Sequence, residues 1–495
     1  MKNGIMMQCF EWYTYSDGGF YRWLKEQLDH LYEIGINALW LPPACKATGV
    51  DDVGYGIYDL YDLGEFNQKG AIRTKYGTKE ELLDLIKTAQ EKGFCVYADV
   101  VLNHKAGADY AETFSVVEVD EKNRWKVISE PYDIDGWTGF RFPGRDGKYS
   151  EFVWNHTHFT GVDFDGKTGK TSIFKILGEG KNWAQGVSME YGNYDYLMFA
   201  DIDHRHPEVV EELFAWSDWF YNETKVNGYR LDALKHINDF FMRDFARHSR
   251  KGKEDFYIFG EYWAADGDMV RNYAKQTEYE IDLLDVALHF NFYHASQQNE
   301  HYDLRRLFDN SLVQRRPTMA VTFVDNHDSQ PDQALSSWVD DWFKPLAYGA
   351  ILLRKDGYPC IFFGDYYGIG GDYPLEDKKE IIEKLLLCRK RFAYGEQHDY
   401  FVKANCIGWV RLGDEEHPYP SATLMSNHKK GRIRMFVGTR FAGSVFADYL
   451  GNRTEKVVID SDGYGEFVVA GRSISCWVQE DVVPKETEEQ KLYDT

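Results

Sequence analysis

Paired cysteines are missing from this 495-residue chain: its seven, at positions 9, 45, 95, 360, 388, 406 and 476, are odd in number and include no CxxC. A disulfide framework and a cysteine zinc site are therefore not expected, and reduced thiols fit a cytoplasmic protein. Long apolar runs are missing too. No stretch would span a bilayer, and the opening MKNGIMMQCFEW has too short an apolar segment for a secretory signal, so a soluble, unprocessed chain is expected. Positive charge is scarce, with 57 Lys and Arg against 80 Asp and Glu. The resulting net charge of −23 would repel nucleic acid and anionic membrane surfaces, so neither is an expected partner, and a neutral or cationic substrate is implied.

What is present suits a large enzyme. The length exceeds a single ordinary core, so one large domain plus smaller ones is expected. Aromatic residues reach 16%. Most belong in the core, but flat rings also suit stacking on sugar faces.

Short apolar runs alternate with amphipathic helical segments, the pattern of repeated βα units. Eight runs read as strands: Ile5–Phe10, Ala38–Leu41, Phe94–Val100, Gly228–Leu231, Tyr257–Gly260, Leu283–Ala287, Ala320–Val324 and Pro359–Phe363. TKEE at Thr78–Glu81 predicts a capping box at the start of a helix. The rhythm breaks from His104 to about Arg205, where Gly, Asp, Thr and aromatics show no helical period. After about Gly395, short alternating runs such as CIGWVRL and RIRMFVGT predict an antiparallel β-domain. The expectation is a (β/α)8 barrel over residues 1–104 and 206–396, a β-rich insertion after strand 3 over 105–205, a C-terminal β-sandwich over 397–480 and a charged tail over 481–495.

Four motifs end apolar runs with a carboxylate: DVVLNH (Asp99–His104), GYRLDALKH (Gly228–His236), GEYW (Gly260–Trp263) and FVDNHDSQP (Phe323–Pro331). The C-terminal rim of the strands is where β/α barrels carry catalytic residues. Asp232 and Glu261 close adjacent strands, whose spacing brings two rim carboxyls to roughly the 5 Å that retaining glycoside hydrolysis requires. Arg230, two residues before Asp232, shares its face of the strand and favours the ionised form, which suits a nucleophile. Glu261, beside Gly260 and Tyr262-Trp263, sits in apolar company that raises a carboxyl pKa, which suits an acid.

The four motifs in this order, with QCFEWY, VGYGIYDLYDLGEF, GNYDYLMFADID and WFKPLAYGAILLR, resemble the α-amylase family of glycoside hydrolases, above all the bacterial liquefying type and its cytoplasmic relatives. The resemblance covers nearly the whole chain. It implies an endo-acting, retaining α-1,4-glucan hydrolase with Asp232 as nucleophile, Glu261 as acid and base, and Asp328 gripping sugar hydroxyls. It also implies substrate contacts from Tyr55, His104, Arg230, Lys235, His236, Trp263 and His327, with Tyr55 as the platform under the sugar. One structural calcium ion would be held by Asn103, Asp195, Asp201 and the backbone carbonyl of His236, oxygen ligands of the kind Ca2+ takes. The pattern of the secreted relatives is broken at Thr160, Ala184 and Arg205, where they carry aspartates around further ions; Asp203 remains, and Arg205 either pairs with it or a nearby acid or points to solvent and contributes little. Asn405 and Asn427 likewise stand near the acids of a further ion site. The alternatives are a transglycosylase, a maltogenic or debranching enzyme of the same superfamily, or a non-catalytic carbohydrate-binding relative, the last opposed by the survival of all three carboxylates. A monomer is expected.

Overall fold

The computed structural model describes residues 3–372 and 374–483; the expected charged tail lies outside the described residues from position 484 onward. Eight parallel strands close a barrel: β1 (Met6–Gln8), β2 (Ala38–Leu41), β3 (Cys95–Val100), β4 (Gly228–Leu231), β5 (Tyr257–Gly260), β6 (Asp282–Leu284), β7 (Ala320–Phe323) and β8 (Tyr358–Phe362), with β1 paired to both β2 and β8. Every strand expected from sequence falls on one of these eight. Their residues are almost all buried because both faces are covered, which is why the runs are continuously apolar rather than alternating. Inward, Met6, Trp40, Tyr97, Phe259, Val321 and Phe323 fill the barrel, with Trp40 edge-on to Phe259 at a centroid distance of 5.6 Å. Outward, the alternate residues pack on the helices.

The sixth run is shorter than expected. It stops at Leu284 because Asp285 caps the helix Val286–Gln298, its carboxylate accepting the Leu288 amide at 3.1 Å. The capping box at Thr78 forms as the sequence predicts: the hydroxyl accepts the Glu81 amide at 3.4 Å, and the Glu81 carboxylate accepts the Thr78 amide at 2.9 Å.

Between β3 and β4 the chain builds an antiparallel sheet that includes Tyr110–Asp120, Tyr132–Gly139, Phe159–Asp165 and Lys170–Ile176. Its root is the pairing of His104–Lys105 with Ala200–Ile202, in register His104 to Asp201, so the sheet grows directly from the barrel rim. After the barrel, a six-stranded sheet from Gln397–Lys403 to Ser473–Gln479 faces the pair Gly431–Phe436 and Tyr464–Val469. Leu424, Ile433, Met435, Phe467 and Trp477 fill the space between them, a β-sandwich core.

The junction of barrel and sandwich combines an apolar part, in which Trp409, Ile474 and Cys476 share a core with Leu385 and Cys388, and a hydrogen-bonded part. Arg354 grips Asp399 with two bonds of 2.7 and 2.9 Å. Asn405 donates to Glu300 O at 2.7 Å and to Asn427 at 3.0 Å, while Asn427 donates to Asn299 O and Tyr302 O at 2.8 and 2.9 Å. Amide-to-carbonyl bonds thus join the two units at the place where the secreted relatives' pattern suggested an ion.

No helix among the described residues is long and apolar enough to cross a membrane. The seven cysteines are free, and six are buried; Cys388 and Cys476 approach to 3.1 Å across the barrel–sandwich junction. Burial pushes the thiols of Cys9, Cys45, Cys360 and Cys388 up, which keeps them protonated and unreactive. Thiol titration should therefore find seven reactive groups in denaturant without reductant, and in the native protein Cys95, the partly exposed one, should react first. A native protein in which a buried thiol reacts ahead of Cys95 would contradict this packing.

Candidate active site

The C-terminal rim of the barrel opens into a cleft of about 770 Å³ between the barrel and the insertion. Of the ten residues that the sequence assigned to catalysis or substrate binding, nine line it: Tyr55, His104, Asp232, Lys235, His236, Glu261, Trp263, His327 and Asp328. The tenth, Arg230, lies fully buried beneath the floor.

Arg230 organises that floor. Its Nη1 donates to Asp232 Oδ1 at 2.7 Å and to both oxygens of Asp99, at 3.0 and 3.2 Å, while its Nη2 donates to Glu261 Oε2. The register explains the convergence, because Arg230 on β4 stands opposite Asp99 on β3 and Asp232 and Glu261 follow directly on β4 and β5. Immediately after Asp232, Ala233 adopts left-handed backbone angles (φ 52°, ψ 36°), a strained turn of the kind found at functional sites. Two carboxyls bound to the two terminal nitrogens of one guanidinium are held near the separation of roughly 5 Å that a retaining pair needs.

Protonation follows from burial and crowding. Burial, assisted by the charges of Asp232 and Asp99 and opposed by Arg230, pushes the Glu261 carboxyl up to about 7. Asp328 is likewise raised well above the ordinary carboxylate range, by burial and then by Glu261. The apolar company inferred from GEYW captures the first cause only, since Glu261 also touches Arg230.

Asp99 was not among the expected site residues, although it begins the first motif. It accepts from Trp40 Nε1 and from the Tyr55 hydroxyl, both at 2.9 Å, and burial raises it to about 6. Tyr55, Trp12 and His327 present parallel rings, 5.0 Å apart for Tyr55 and His327 and 6.1 Å for each with Trp12. Gln8 at the end of β1 holds His327 Nδ1 at 2.9 Å, and His104 Nε2 meets Tyr55 O at 2.8 Å. On the other side of the cleft Lys235 donates to Trp263 O at 3.1 Å and pairs with Glu190 of the insertion. Gln8 and Trp12 lie within the recognised segment QCFEWY but were given no role, and Glu190 lies just before GNYDYLMFADID.

The loop that carries His327 and Asp328 is anchored from behind. Asp325 accepts from Lys344 Nζ at 2.5 Å and from Ser329 at 2.7 Å, and Lys344 also reaches Asp365 at 2.7 Å, all of it fully buried.

Three of the residues expected to hold calcium, Asn103, Asp195 and Asp201, lie together at the root of the insertion, where the Ile202 amide bonds Asn103 O at 3.0 Å. Asn103 Oδ1 is buried without a hydrogen-bond partner, an oxygen left free for a cation. Both acids are fully buried: burial, with the charge of Asp203, raises Asp195 to about 7, and burial together with the neighbouring Asp195 raises Asp201 well above its usual range. The Ala184 amide bonds Asp195 at 2.8 Å and the Thr160 hydroxyl bonds Asp201. His236 is drawn in by its ring nitrogen on Tyr194 O at 2.8 Å. Two carboxylates that repel in a dry site and an orphaned amide oxygen fit a hard divalent cation.

Next to this group the lost acids are answered by protein cations. Arg205 bonds Asp203 twice, at 2.9 and 3.1 Å, and Asn182 O at 2.6 Å. Lys181, which the sequence did not single out, reaches Asp203 at 2.9 Å and Phe159 O at 3.0 Å. A separate cluster of His158, His206 and Glu208 brings one ligand atom each within 4.8 Å. Imidazoles suit zinc-type ions rather than calcium. His158 Nδ1 accepts the Asn155 amide at 3.1 Å, which places its proton on Nε2, the atom that faces Glu208. That tautomer is the wrong one for ligation through Nε2.

A family model described as "Alpha amylase, catalytic domain" matches residues 10–399, and one described as "Alpha-amylase C-terminal" matches residues 423–478. The chain is 50% identical over 479 residues to an alpha-amylase of Geobacillus stearothermophilus, covering 96% of this chain and 87% of that one. It is 41% identical over 496 residues to a protein named cytoplasmic alpha-amylase from Escherichia coli K12, covering 98% and 100%. In fold it is similar, with a TM-score of 0.64 at 20% identity over 96% of this chain and 98% of that one, to the crystal structure of an alpha-amylase from Geobacillus thermoleovorans complexed with acarbose.

The Lys181–Arg205–Asp203 contacts should stabilise the join between barrel and insertion. Arg205 and Lys181 hold Asp203 below the usual carboxylate range, so this contribution is present at neutral pH and disappears as pH falls through that depressed value. Arg205→Ala should melt earlier than the parent at pH 7, with the difference shrinking toward acid, and Arg205→Asp should melt earlier still and recover in part on adding calcium. Equal, calcium-insensitive melting of the two variants would show that Arg205 does nothing here.

Proposed function

The chain belongs to the α-amylase family, and from that premise we propose how its own residues carry the reaction. The activity is endo-hydrolysis of α-1,4-glucosidic bonds in starch, glycogen or maltodextrins. In our assignment the Asp232 carboxylate attacks the anomeric carbon of the sugar at the cleavage point, while Glu261 donates its proton to the departing glycosidic oxygen. Glu261 then takes a proton from water as the water displaces Asp232, and the configuration is retained. Asp328 and His327 grip hydroxyls of the same sugar, which rests on the Tyr55 ring, with His104 at its edge. Lys235, His236 and Trp263 bind the leaving glucan, and Arg230 serves from beneath the floor. The observation that carries this assignment is the single Arg230 guanidinium shared by Asp232 and Glu261, with the second carboxyl held up at about 7.

We also propose that one calcium ion is held by Asn103, Asp195, Asp201 and the His236 carbonyl, where it would neutralise the two buried acids and tie the insertion to the barrel. Residues 1–104 and 206–396 would form the catalytic barrel, 105–205 the inserted domain and 397–480 the C-terminal sandwich. A monomer in the cytoplasm, acting on imported or stored glucan, is the setting we favour, supported by the name of the Escherichia coli relative and by the seven free thiols.

Changing Asp232 to Asn or Glu261 to Gln should lower kcat by several orders of magnitude and leave glucan binding largely intact. A mechanism-based glycosyl fluoride should label Asp232, and label elsewhere would remove it from the nucleophile's role. Product profiles on starch and maltoheptaose separate the alternatives. An early spread of oligosaccharides marks endo action, whereas one dominant short product marks a maltogenic enzyme.

The pH dependence follows from Glu261. Its proton is needed for departure of the leaving group and is retained below about 7, so kcat/KM should fall on the alkaline side with a midpoint near that value. A profile flat through pH 8 would exclude Glu261 as the acid.

A further inference from the structure

Beyond the cleft, the insertion displays two aromatic rings that none of the roles above employs. Trp125 on the strand Asn123–Val127 and Tyr191 in the turn after Met189 are 47% and 44% exposed. Both are held in fixed orientation. The Trp125 indole donates to Gly192 O at 3.0 Å, and Gly192 (φ 82°) lies so close beneath the ring that a Cβ there would stand 2.9 Å from Trp125 Cδ1. Tyr191 itself adopts left-handed angles (φ 53°, ψ 25°), which a tyrosine adopts only at a cost in strain. Burial does not offset that strain, since nearly half of the residue faces solvent.

The same turn is tied to the cleft. Tyr191 stands edge-on to Tyr194 at 5.0 Å, and Tyr194 lines the cleft wall. The Arg124 guanidinium lies 5.7 and 5.8 Å from these two rings. Glu190, one residue before Tyr191, pairs with Lys235, which bonds Trp263 O at the cleft floor. Tyr194 and Tyr191 are thus in ring contact from the cleft outward, and Trp125 sits on the same turn through its bond to Gly192 O, on the side of Lys235 and Trp263.

We propose that Tyr191 and Trp125 are an outlying stacking surface for the substrate chain, one that a long neutral α-glucan reaches and a short oligosaccharide does not. This rests on the α-glucan reading of the cleft. The chemistry selects the ligand: a sugar presents an apolar C–H face with a hydroxyl rim, which matches a rigid, half-exposed ring with a polar edge. Two rings set among charged side chains are too small a patch for a stable protein interface, and the net charge of −23 disfavours an anionic membrane.

The test compares Trp125→Ala, Tyr191→Gly and the double variant with the parent on soluble starch and on maltopentaose. Glycine at 191 removes the ring and also relieves the backbone strain, so a loss of affinity there cannot be assigned to unfolding. KM for starch should rise roughly threefold to tenfold in each single variant and further in the double, the size expected of one lost ring contact. The kcat on starch and both constants on maltopentaose should be unchanged, and Tyr191→Phe and Trp125→Phe should retain most of the affinity. Equal KM for starch in all variants, or equal changes on the two substrates, would overturn the proposal. Retardation by starch in native gels reads binding without cleavage: if the parent cleaves neither substrate the catalytic reading fails, whereas retardation that the double variant loses would still support the stacking surface.

Discussion

One buried cation facing too many carboxyls governs this site. Arg230 is entirely enclosed and touches Asp99, Asp232 and Glu261, and Asp328 lies within its field. A single positive charge cannot balance four negative ones at a floor where Arg230 and Asp99 are enclosed and the other three carboxyls meet water only through the cleft. Protons must remain on some of the acids, and the raised values of Asp99, Glu261 and Asp328 express that shortage. The guanidinium, held well above its ordinary range by the same neighbours, cannot yield its own proton to relieve it. An acid that keeps its proton near neutrality beside a carboxylate hydrogen-bonded to arginine is the pair that glycosidic cleavage uses. The catalytic asymmetry thus originates in the charge balance of the floor more than in any one side chain.

The insertion meets the same problem twice and answers it in two ways. Asp195 and Asp201, pressed together without a neighbouring cation of the protein in hydrogen-bond contact, are suited to a metal ion. Asp203, two residues further on, is answered by Lys181 and Arg205. The two solutions differ mechanically. A calcium ion draws several oxygen-bearing segments around one point, whereas a guanidinium and an ammonium join fewer partners along fixed directions. Here the cations still connect separate segments, because Arg205 bonds Asn182 O and Lys181 bonds Phe159 O.

Much of this was legible in the sequence because it depends on local pattern. A strand buried on both faces must be continuously apolar, and a rim residue must interrupt that run, so the eight strands and the carboxylates of three motifs could be read directly. Asp99 was passed over although its motif was found. It lies inside β3 rather than beyond its end, and only the register with Arg230 reveals its role. Lys181 and Glu190 lie in an irregular stretch where no period fixes direction, and their partners are over twenty and over forty residues away. The end of β6 at Leu284 was misjudged because the apolar run continues into a helix that Asp285 starts, a capping signal hidden inside a hydrophobic segment.

The position of Asp328 depends on a second buried charge, and this one stands behind the cleft. Lys344, from the helix Lys344–Leu352, carries a full charge into a region with no exposure and there meets Asp325 and Asp365, with the Trp338 ring 3.2 Å from its ammonium. Such an ion cluster is costly to enclose and adds little stability compared with an apolar core of the same shape. What it adds is direction. Asp325 is three residues before Asp328, and with one oxygen on Lys344 and the other on Ser329 it can adopt few orientations, so the turn between them is held at both ends. Asn326 completes the turn by accepting the amides of Asp328 and Ser329 at 3.0 and 2.8 Å. An apolar replacement could fill the same volume but would leave that turn free to move, and in the role we propose for Asp328 a carboxyl that meets particular sugar hydroxyls tolerates little displacement. The polar cluster behind the loop therefore belongs to the active site as much as the residues that line it.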